Sequence, residues 1–298
     1  MFGKRSDGVL VKDLDPIIAL TPYLMPQRND AMVMTDYDLD FSLLTRYIAK
    51  KSAEGIKITF LELVIAAYVR MVAEVPQLNR FVANKRIYAR KYLAVSFAIL
   101  QPLANGGVNE NTTKVYFDPT DTIYDVAARM QKTISECRKE DADNLTMVLA
   151  RILTKPILAN PIVALVRLLD RYGLMPKIIH EASPFHTSLF ITNNASIGLP
   201  RVYHHIYNFG TCSQFFGLGN QIRSIDLDRE GKPVRKRTLP VGAVIDERVA
   251  EGYVYSKMTG LMSKYLSHPE LLEVPPEKVV WDQGYEYHVP KVTDEKKA

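Results

Sequence analysis

The sequence predicts a single domain of the α/β or α+β class. Strand-like and helix-like patterns are interspersed along most of the chain, as they are in domains that pack helices on a sheet. The 298 residues contain no internal repeat and no low-complexity linker that would mark a domain boundary. A hydrophobic content of 47% with 24% charged residues is typical of an ordered globular protein and argues against disorder.

The first quarter of the chain predicts one strand and two helices. Polar and apolar residues alternate over residues 31–39, and helical periodicity follows over residues 41–54. Thr59 and Glu62 have the spacing of a capping box at the start of a second helix. That helix is apolar nearly all round as far as Glu74, so we expect it to be buried.

The remaining elements are mostly strands. The patterns predict short strands at 80–83 and 86–89, a strong strand at 93–100 and a helix at 122–139. Strands are expected to dominate from Thr187 to Asp246, and a helix over 253–266 closes the domain.

Charge and cysteine content restrict the classes of function. The net charge is only +5, and its densest basic cluster, residues 232–237, lies in a strand–turn–strand pattern. A solvated hairpin is the simplest interpretation, and a site for an anionic cofactor with phosphates is the alternative. Nucleic-acid binding is not expected, because no aromatic-interleaved basic motif or zinc spacing accompanies the cluster. Cys137 and Cys212 are too few and too far apart for a disulfide framework or a metal site.

The N-terminus has no signal-peptide core, and no apolar run reaches the ~20 residues that span a bilayer. We therefore expect a cytoplasmic protein with reduced cysteines.

Several separated stretches carry a resemblance to one family. In chain order they are Ile58–Ala67, Glu74–Asn79, Arg86–Pro102, Phe190–Gly198 and Asp246–Gly252. Together they resemble the catalytic domain of 2-oxoacid dehydrogenase E2 acyltransferases over about residues 30–272. Chloramphenicol acetyltransferase shares that fold and is a more distant relative.

The resemblance implies a coenzyme A-dependent acyltransferase-like fold, in which helices flank a mixed sheet. It also implies a homotrimer whose active sites lie between subunits, with coenzyme A or acyl-CoA entering from one side and a small-molecule acyl acceptor from the other. We expect residues 273–298 to form a C-terminal tail, and we expect no lipoyl domain in this chain. Pro269–Leu272 resembles the apolar anchor that joins trimers into a cage, but the chain continues past it, so a trimer is favoured over a cubic cage.

The family's catalytic residues are replaced in this chain. Its motif ends a strand with Asp-His-Arg-x-x-Asp-Gly, whereas Glu247 stands here in place of the histidine and Glu251 in place of the second aspartate. Thr192 matches the family's serine or threonine that hydrogen-bonds the oxyanion. The alternative for Thr192 is a strand threonine without a catalytic role.

A glutamate is a poor substitute for the histidine base. A free glutamate has a pKa of ~4.3 against ~8.5 for a thiol, so proton transfer would be uphill by roughly 6 kcal/mol. Burial and the carboxylates of Asp246 and Glu251 would make Glu247 a stronger base, and Arg248 would make it a weaker one. The histidines elsewhere in the chain, among them His186, His204 and His205, could in principle replace the missing base, but we expect them to be structural or exposed.

Two functions stay open, and with them the question of whether the protein is an enzyme. The first is a coenzyme A-dependent acyltransferase-like protein whose standard transfer is lost or altered. The second is a catalytically inactive trimeric scaffold or regulatory binding protein.

Residues 144–179 have an unusual composition. Two patterns rich in Leu, Ile and Val predict helices over 145–154 and 162–172, punctuated by basic residues. The simplest interpretation is a helical hairpin inserted over about residues 141–183. A lid over an acyl site, a surface for docking a partner protein, and a face lying on a membrane are the alternatives.

Overall fold

The structure of the protein, a computed structural model, describes residues 5–102, 108–137, 156–286 and 288–289. The strands are β1 (Gly8–Leu10), β2 (Met32–Asp40), β3 (Arg80–Ala83), β4 (Arg86–Arg90), β5 (Leu93–Pro102), β6 (Val108–Phe117), β7 (Leu189–Asn193), β8 (Gln214–Leu218), β9 (Ile222–Leu227) and β10 (Pro233–Asp246). The helices are α1 (Pro16–Leu24), α2 (Phe41–Ala53), α3 (Phe60–Glu74), α4 (Ile123–Cys137), α5 (Pro156–Arg171), α6 (Lys177–Ala182) and α7 (Gly252–Ser267). Short 3₁₀ turns occupy Asn29–Ala31, Pro76–Asn79, Asn194–Ile197 and Pro269–Leu272.

The larger sheet is mixed, as the sequence predicts. Its strand order is β2-β10-β8-β7-β5-β6, and β9 pairs with the outer half of β10. The central pairs β5–β7 and β7–β8 are parallel, whereas β6, β10 and β2 join the sheet antiparallel. A smaller antiparallel sheet has the order β1-β4-β3. The predicted class, a mixed sheet flanked by helices in one domain, is confirmed.

Helix α3 forms the centre of the core. The predicted capping box is present: the Glu62 amide donates to Thr59 Oγ1 at 3.3 Å, and the Thr59 amide donates to Glu62 Oε2 at 2.6 Å. Nearly all of its side chains are buried, because α4 and α7 pack beside it while the sheet covers another face. Removing this much apolar surface from water is the main stabilising contribution of the fold.

The basic cluster lies on a hairpin, also as predicted. Strands β9 and β10 pair from Ile222 to Thr238, and the turn between them has Gly231 in the left-handed region at φ 77°. Every residue of β9 is exposed, as are the first five of β10. This ribbon therefore extends from the sheet into solvent in the single chain.

Several features differ from the predicted elements. Helix α1 and strands β1 and β6 are not among the predicted elements: α1 is short and apolar on most faces, and β6 is an edge strand with mainly polar residues. Pairing with β5 along ten residues makes β6 a strand despite this composition. Residues 194–213, where strands are expected to dominate, instead contain a 3₁₀ turn followed by irregular chain.

The second predicted helix of the 144–179 segment is present as α5, whereas the first, 145–154, lies outside the described residues. Asp170 of α5 ties this segment to the N-terminus through Arg5 Nη2 at 2.6 Å. In the tail, the Val280 amide donates to the Ala73 carbonyl, and Arg80 pairs with Asp282 at 2.7 Å. No described helix combines the length and apolar character needed to cross a membrane.

Candidate functional site

The 246–252 motif is a tight turn between β10 and α7. Strand β10 ends at Asp246, and α7 begins at Gly252. The Asp246 amide donates to the Ser213 carbonyl at 2.9 Å, and the Glu247 amide donates to the Ala31 carbonyl at 3.0 Å. Backbone hydrogen bonds to two other segments therefore fix the backbone of the turn at Glu247.

A buried ion pair holds this turn from behind. Arg248 binds both carboxylate oxygens of Asp246, at 2.7 Å from Nε to Oδ1 and 2.6 Å from Nη2 to Oδ2. The Arg248 guanidinium also donates to the Met25 carbonyl, and the Tyr255 hydroxyl donates to the Asp246 carbonyl. Asp246 is fully buried and committed to structure, so it cannot serve as a base in the cavity in front of it.

Glu247 and Glu251 face a cavity of about 530 Å³. This volume falls in the range of small-molecule sites. Both glutamates are exposed in the single chain. The walls come from α1, β2 and α7, and four serine and threonine residues contribute to them: Thr21, Thr35, Ser256 and Thr259. The arrangement can accept protons and hydrogen-bond a polar ligand.

None of the chain's six histidines lines this cavity, and all six lie in the described part of the chain. His204 stacks on Phe215 at 4.1 Å between ring centroids, and His186 is completely buried elsewhere. His268 and His288 are more than half exposed. The prediction that these histidines are structural or exposed agrees with these positions.

Thr192 lies far from the glutamates within one chain. The strand register places Thr192 beside Gly217, and Gly217 beside Gly242, five residues before Glu247. Two strand spacings and five residues along a strand correspond to a separation of about 19 Å. The Thr192 hydroxyl is buried and has no hydrogen-bond partner within the described ranges. One chain therefore does not bring the two predicted catalytic side chains together.

The two glycines beside Thr192 make room for a crossing segment. A Cβ atom on either Gly217 or Gly242 would collide with the Val202 carbonyl. The irregular chain after β7 can therefore lie directly on the sheet there. Glycine is required because only a residue without a side chain permits this close approach.

The sequence signals do not reveal every residue of the site. Thr21 of α1 and Thr35 of β2 line the cavity. The Nε atom of Arg28 lies 3.8 Å from the Asp246 carboxylate. The Asp15-Pro16 pair is a helix-start signal for α1, and Asp15 does cap the helix by accepting from the Ile17 amide at 2.8 Å. No local signal relates Arg28 to Asp246, because these residues are more than 200 positions apart.

A buried histidine network lies away from the cavity. His180 Nε2 contacts Asp7 at 3.0 Å, His186 Nε2 lies 3.3 Å from Asp170, and Arg5 bridges the two carboxylates. Asp170, His180 and His186 have the donor types of a metal site. However, the Arg5 guanidinium already supplies the positive charge that a metal ion would bring, so we assign the network a structural role.

This network predicts acid sensitivity of the fold. Burial lowers the pKa of His186 to about 4, so the folded chain keeps it neutral while the unfolded chain binds a proton below about 6.5. Because the unfolded state then holds more protons, the free energy of unfolding is expected to fall by up to about 3 kcal/mol as the pH drops from 6.5 to 4. Asp170, His180 and Asp7 face this ring. Burial alone would raise the pKa of the two aspartates, but hydrogen bonds and nearby positive charge outweigh it and keep the pKa of both well below the usual range.

Urea unfolding at several pH values tests this expectation. His186→Gln should flatten the pH dependence between 4 and 6.5, and the exposed His268→Gln should leave it unchanged. Equal slopes for His186→Gln and the unaltered protein would contradict the assignment.

Comparisons with known proteins bear on the fold. No family model matches the sequence, and no curated protein matches it significantly. Several solved structures are similar in fold. A probable dihydrolipoamide acetyltransferase from Listeria monocytogenes is 13% identical with a TM-score of 0.54, covering 86% of this chain and 93% of its own. The cubic core of a pyruvate dehydrogenase multienzyme complex is 15% identical with a TM-score of 0.54, covering 89% and 94%.

A third similar structure is the Azotobacter vinelandii dihydrolipoamide acetyltransferase, at 15% identity and a TM-score of 0.53, covering 89% of this chain and 94% of its own. Its structure was solved to examine a serine, a histidine and an asparagine in the catalytic mechanism. At these identities the likeness concerns the fold alone. The chain has the fold of E2 acetyltransferase catalytic cores, which confirms the resemblance drawn from its sequence.

Proposed function

We propose that this protein is a coenzyme A-dependent acyltransferase-like protein in which histidine-based acyl transfer is lost or strongly reduced. One observation carries the proposal: the turn after β10 presents Glu247 to a ligand-sized cavity that no histidine lines. The fold supports a coenzyme A ligand, since the similar structures include dihydrolipoamide acetyltransferases. We propose a small molecule as the acyl acceptor, because the cavity volume falls in the range of small-molecule sites.

Glu247, which stands in the position of the family's histidine, is the candidate to replace the missing base in this cavity, with Glu251 as the second carboxylate there. The Asp246 carboxylate is paired with Arg248, and the Arg248 guanidinium therefore binds Asp246 rather than Glu247. Glu247 thus keeps a free carboxylate that can accept a proton. A solvated carboxylate remains a far weaker base than imidazole, so any retained transfer is expected to be slow.

A homotrimer would complete the site. Because Thr192 and Glu247 are about 19 Å apart in one chain, an oxyanion donor at Thr192 can serve Glu247 only from a neighbouring subunit. We favour a trimer over a larger cage, and Leu272 of the 3₁₀ turn is buried in its own chain although Leu271 is exposed. We place the protein in the cytoplasm.

An inactive trimeric scaffold is the second candidate. The observation that favours it is the buried Asp246–Arg248 pair, which stabilises the turn without any role for Glu247 or Glu251. Helix α5 adds an exposed surface with Leu165 and Leu168 beside basic side chains. That surface suits docking to a partner protein or a membrane, and anionic liposomes would report the second.

Binding and turnover of acetyl-CoA test the two candidates. Isothermal titration calorimetry is expected to show binding of coenzyme A to the unaltered protein, and Glu247→Gln should preserve that affinity. The same variant should lower any residual acyl transfer at least about 100-fold, since it removes the base. Glu230→Gln, in the exposed hairpin turn, is the matched control and should change neither quantity.

Absence of coenzyme A binding would refute the acyltransferase proposal. Binding with transfer that is indifferent to Glu247→Gln would exclude Glu247 as the base.

A further inference from the structure

A second cavity lies on the opposite side of the 246–252 motif. Its volume is about 560 Å³, and its walls come from residues 26–28, the β3–β4 turn, α5 and residues 208–210, together with Arg248. From its charges, we infer that this cavity binds a soluble small molecule bearing phosphate groups. The inference does not depend on acyl transfer.

The lining of this cavity is strongly basic. It contains a single carboxylate, Asp170, and five cationic side chains: Arg28, Lys85, Arg167, Arg171 and Arg248. Asp170 is already engaged by Arg5 and lies 3.3 Å from His186. The cavity therefore carries uncompensated positive charge, which attracts anionic ligands.

Two arginines at this cavity are buried and share one counterion. Arg28 is 5% exposed and Arg248 is 2% exposed, and Asp246 is the carboxylate near both. Burial lowers the pKa of Arg28, and the neighbouring Arg248 lowers it further, against the opposing effect of Asp246. A buried guanidinium that lacks its own counterion is costly, and a bound anion would relieve that cost.

Arg28 also has unused hydrogen-bond donors. A guanidinium has five N–H groups, and Arg28 donates to the Tyr207 and Val82 carbonyls at 3.1 Å each. Its Nε is buried, has no hydrogen-bond acceptor in the described part of the chain and lies 3.8 Å from the Asp246 carboxylate, so the donors left for a ligand are the remaining N–H groups of Nη1 and Nη2. These donors favour a ligand with several acceptor oxygens.

The other three cations are exposed side chains held near the opening. Arg171 Nε donates to Asn84 Oδ1 at 2.9 Å, and the Lys85 ammonium lies 5.5 Å from the centre of the Tyr23 ring. Arg167 makes no ion pair within the described ranges. Two buried and three exposed cations can contact a group larger than a single carboxylate. Arginine geometry matches phosphate oxygens in pairs, so a phosphate ester or a diphosphate fits best.

This cavity is separate from the one that Glu247 faces. The two cavities share no lining residue, and the adjacent residues Glu247 and Arg248 belong to different ones. The motif is therefore a wall common to two separate sites.

Calorimetry with inorganic pyrophosphate tests the inference, at constant ionic strength because charge interactions are screened by salt. The expected result is saturable binding to the unaltered protein, weakened at least about tenfold in Arg167→Gln/Arg171→Gln. The matched control, Arg46→Gln/Lys50→Gln, removes the same charge from an exposed face of α2 and should leave the affinity unchanged. Circular dichroism melting of each variant checks that the fold is retained.

Parallel titrations with inorganic phosphate and ADP identify the source of the phosphate group. Tighter binding of ADP indicates a nucleotide, whereas tighter binding of pyrophosphate indicates an inorganic ligand, and either supports the inference. It is overturned if pyrophosphate and ADP both fail to bind, or if the α2 variant weakens binding as much as the cavity variant. If the Arg167→Gln/Arg171→Gln variant still binds coenzyme A, the acyltransferase proposal stands whether or not the second cavity binds phosphate.

Discussion

Glu247→His is expected to raise acyl transfer from acetyl-CoA by about 100-fold or more, the usual contribution of a positioned general base. The turn is held by backbone bonds and by the Asp246–Arg248 pair, neither of which involves the Glu247 side chain. An imidazole can therefore enter the cavity on the existing scaffold. Because its unperturbed pKa is ~6.5, the new activity should rise with pH through that region.

The measurement is release of free coenzyme A from acetyl-CoA in the presence of a dithiol acceptor. Glu230→His is the matched control, because it makes the same exchange at an exposed turn far from the cavity and should give no gain. A second variant, Glu247→His/Glu251→Asp, restores both positions of the family motif. If both variants bind coenzyme A and neither transfers an acyl group, the cavity is not a latent active site and the scaffold function is favoured.

Asp246→Ala is expected to destabilise the protein by about 3–5 kcal/mol, the usual result of removing one partner from a buried ion pair. The substitution leaves two buried guanidiniums, Arg28 and Arg248, without their shared carboxylate. It also weakens the link between the motif and the loop after α1, because Asp246 orients the Arg248 guanidinium that donates to the Met25 carbonyl. Urea unfolding at a fixed protein concentration measures the change.

Two further substitutions separate this effect from a general loss of charge. Asp226→Ala breaks the exposed pair with Lys236 and should cost less than about 1 kcal/mol. Asp246→Leu/Arg248→Met replaces the pair with apolar side chains and should recover much of the stability lost in Asp246→Ala. A cost below about 1 kcal/mol for Asp246→Ala would show that the pair does not hold the turn.

The elements with strong local signals were predictable from the sequence. Helix α3 is the clearest case, since Thr59 and Glu62 form its cap and its apolar surface marks it as buried. The turn motif was equally readable, because a strand, a polar turn and a helix start follow one another within a few residues. Strand β6 was not predictable, because its polar residues become a strand only by pairing with β5.

The sequence by itself determined the fold class and predicted that Glu247 stands where the E2 family has its histidine base. Both depend on residue identity and local spacing, since the alternating elements specify the layers and the motif's spacing gives the expected position of the base. Only the tertiary structure decided which side chains meet. Asp246 lies with Arg28, and Arg28 shares a second cavity with Arg167 and Arg171, although long stretches of chain separate them. Such contacts follow from strand order and burial, which no local pattern encodes.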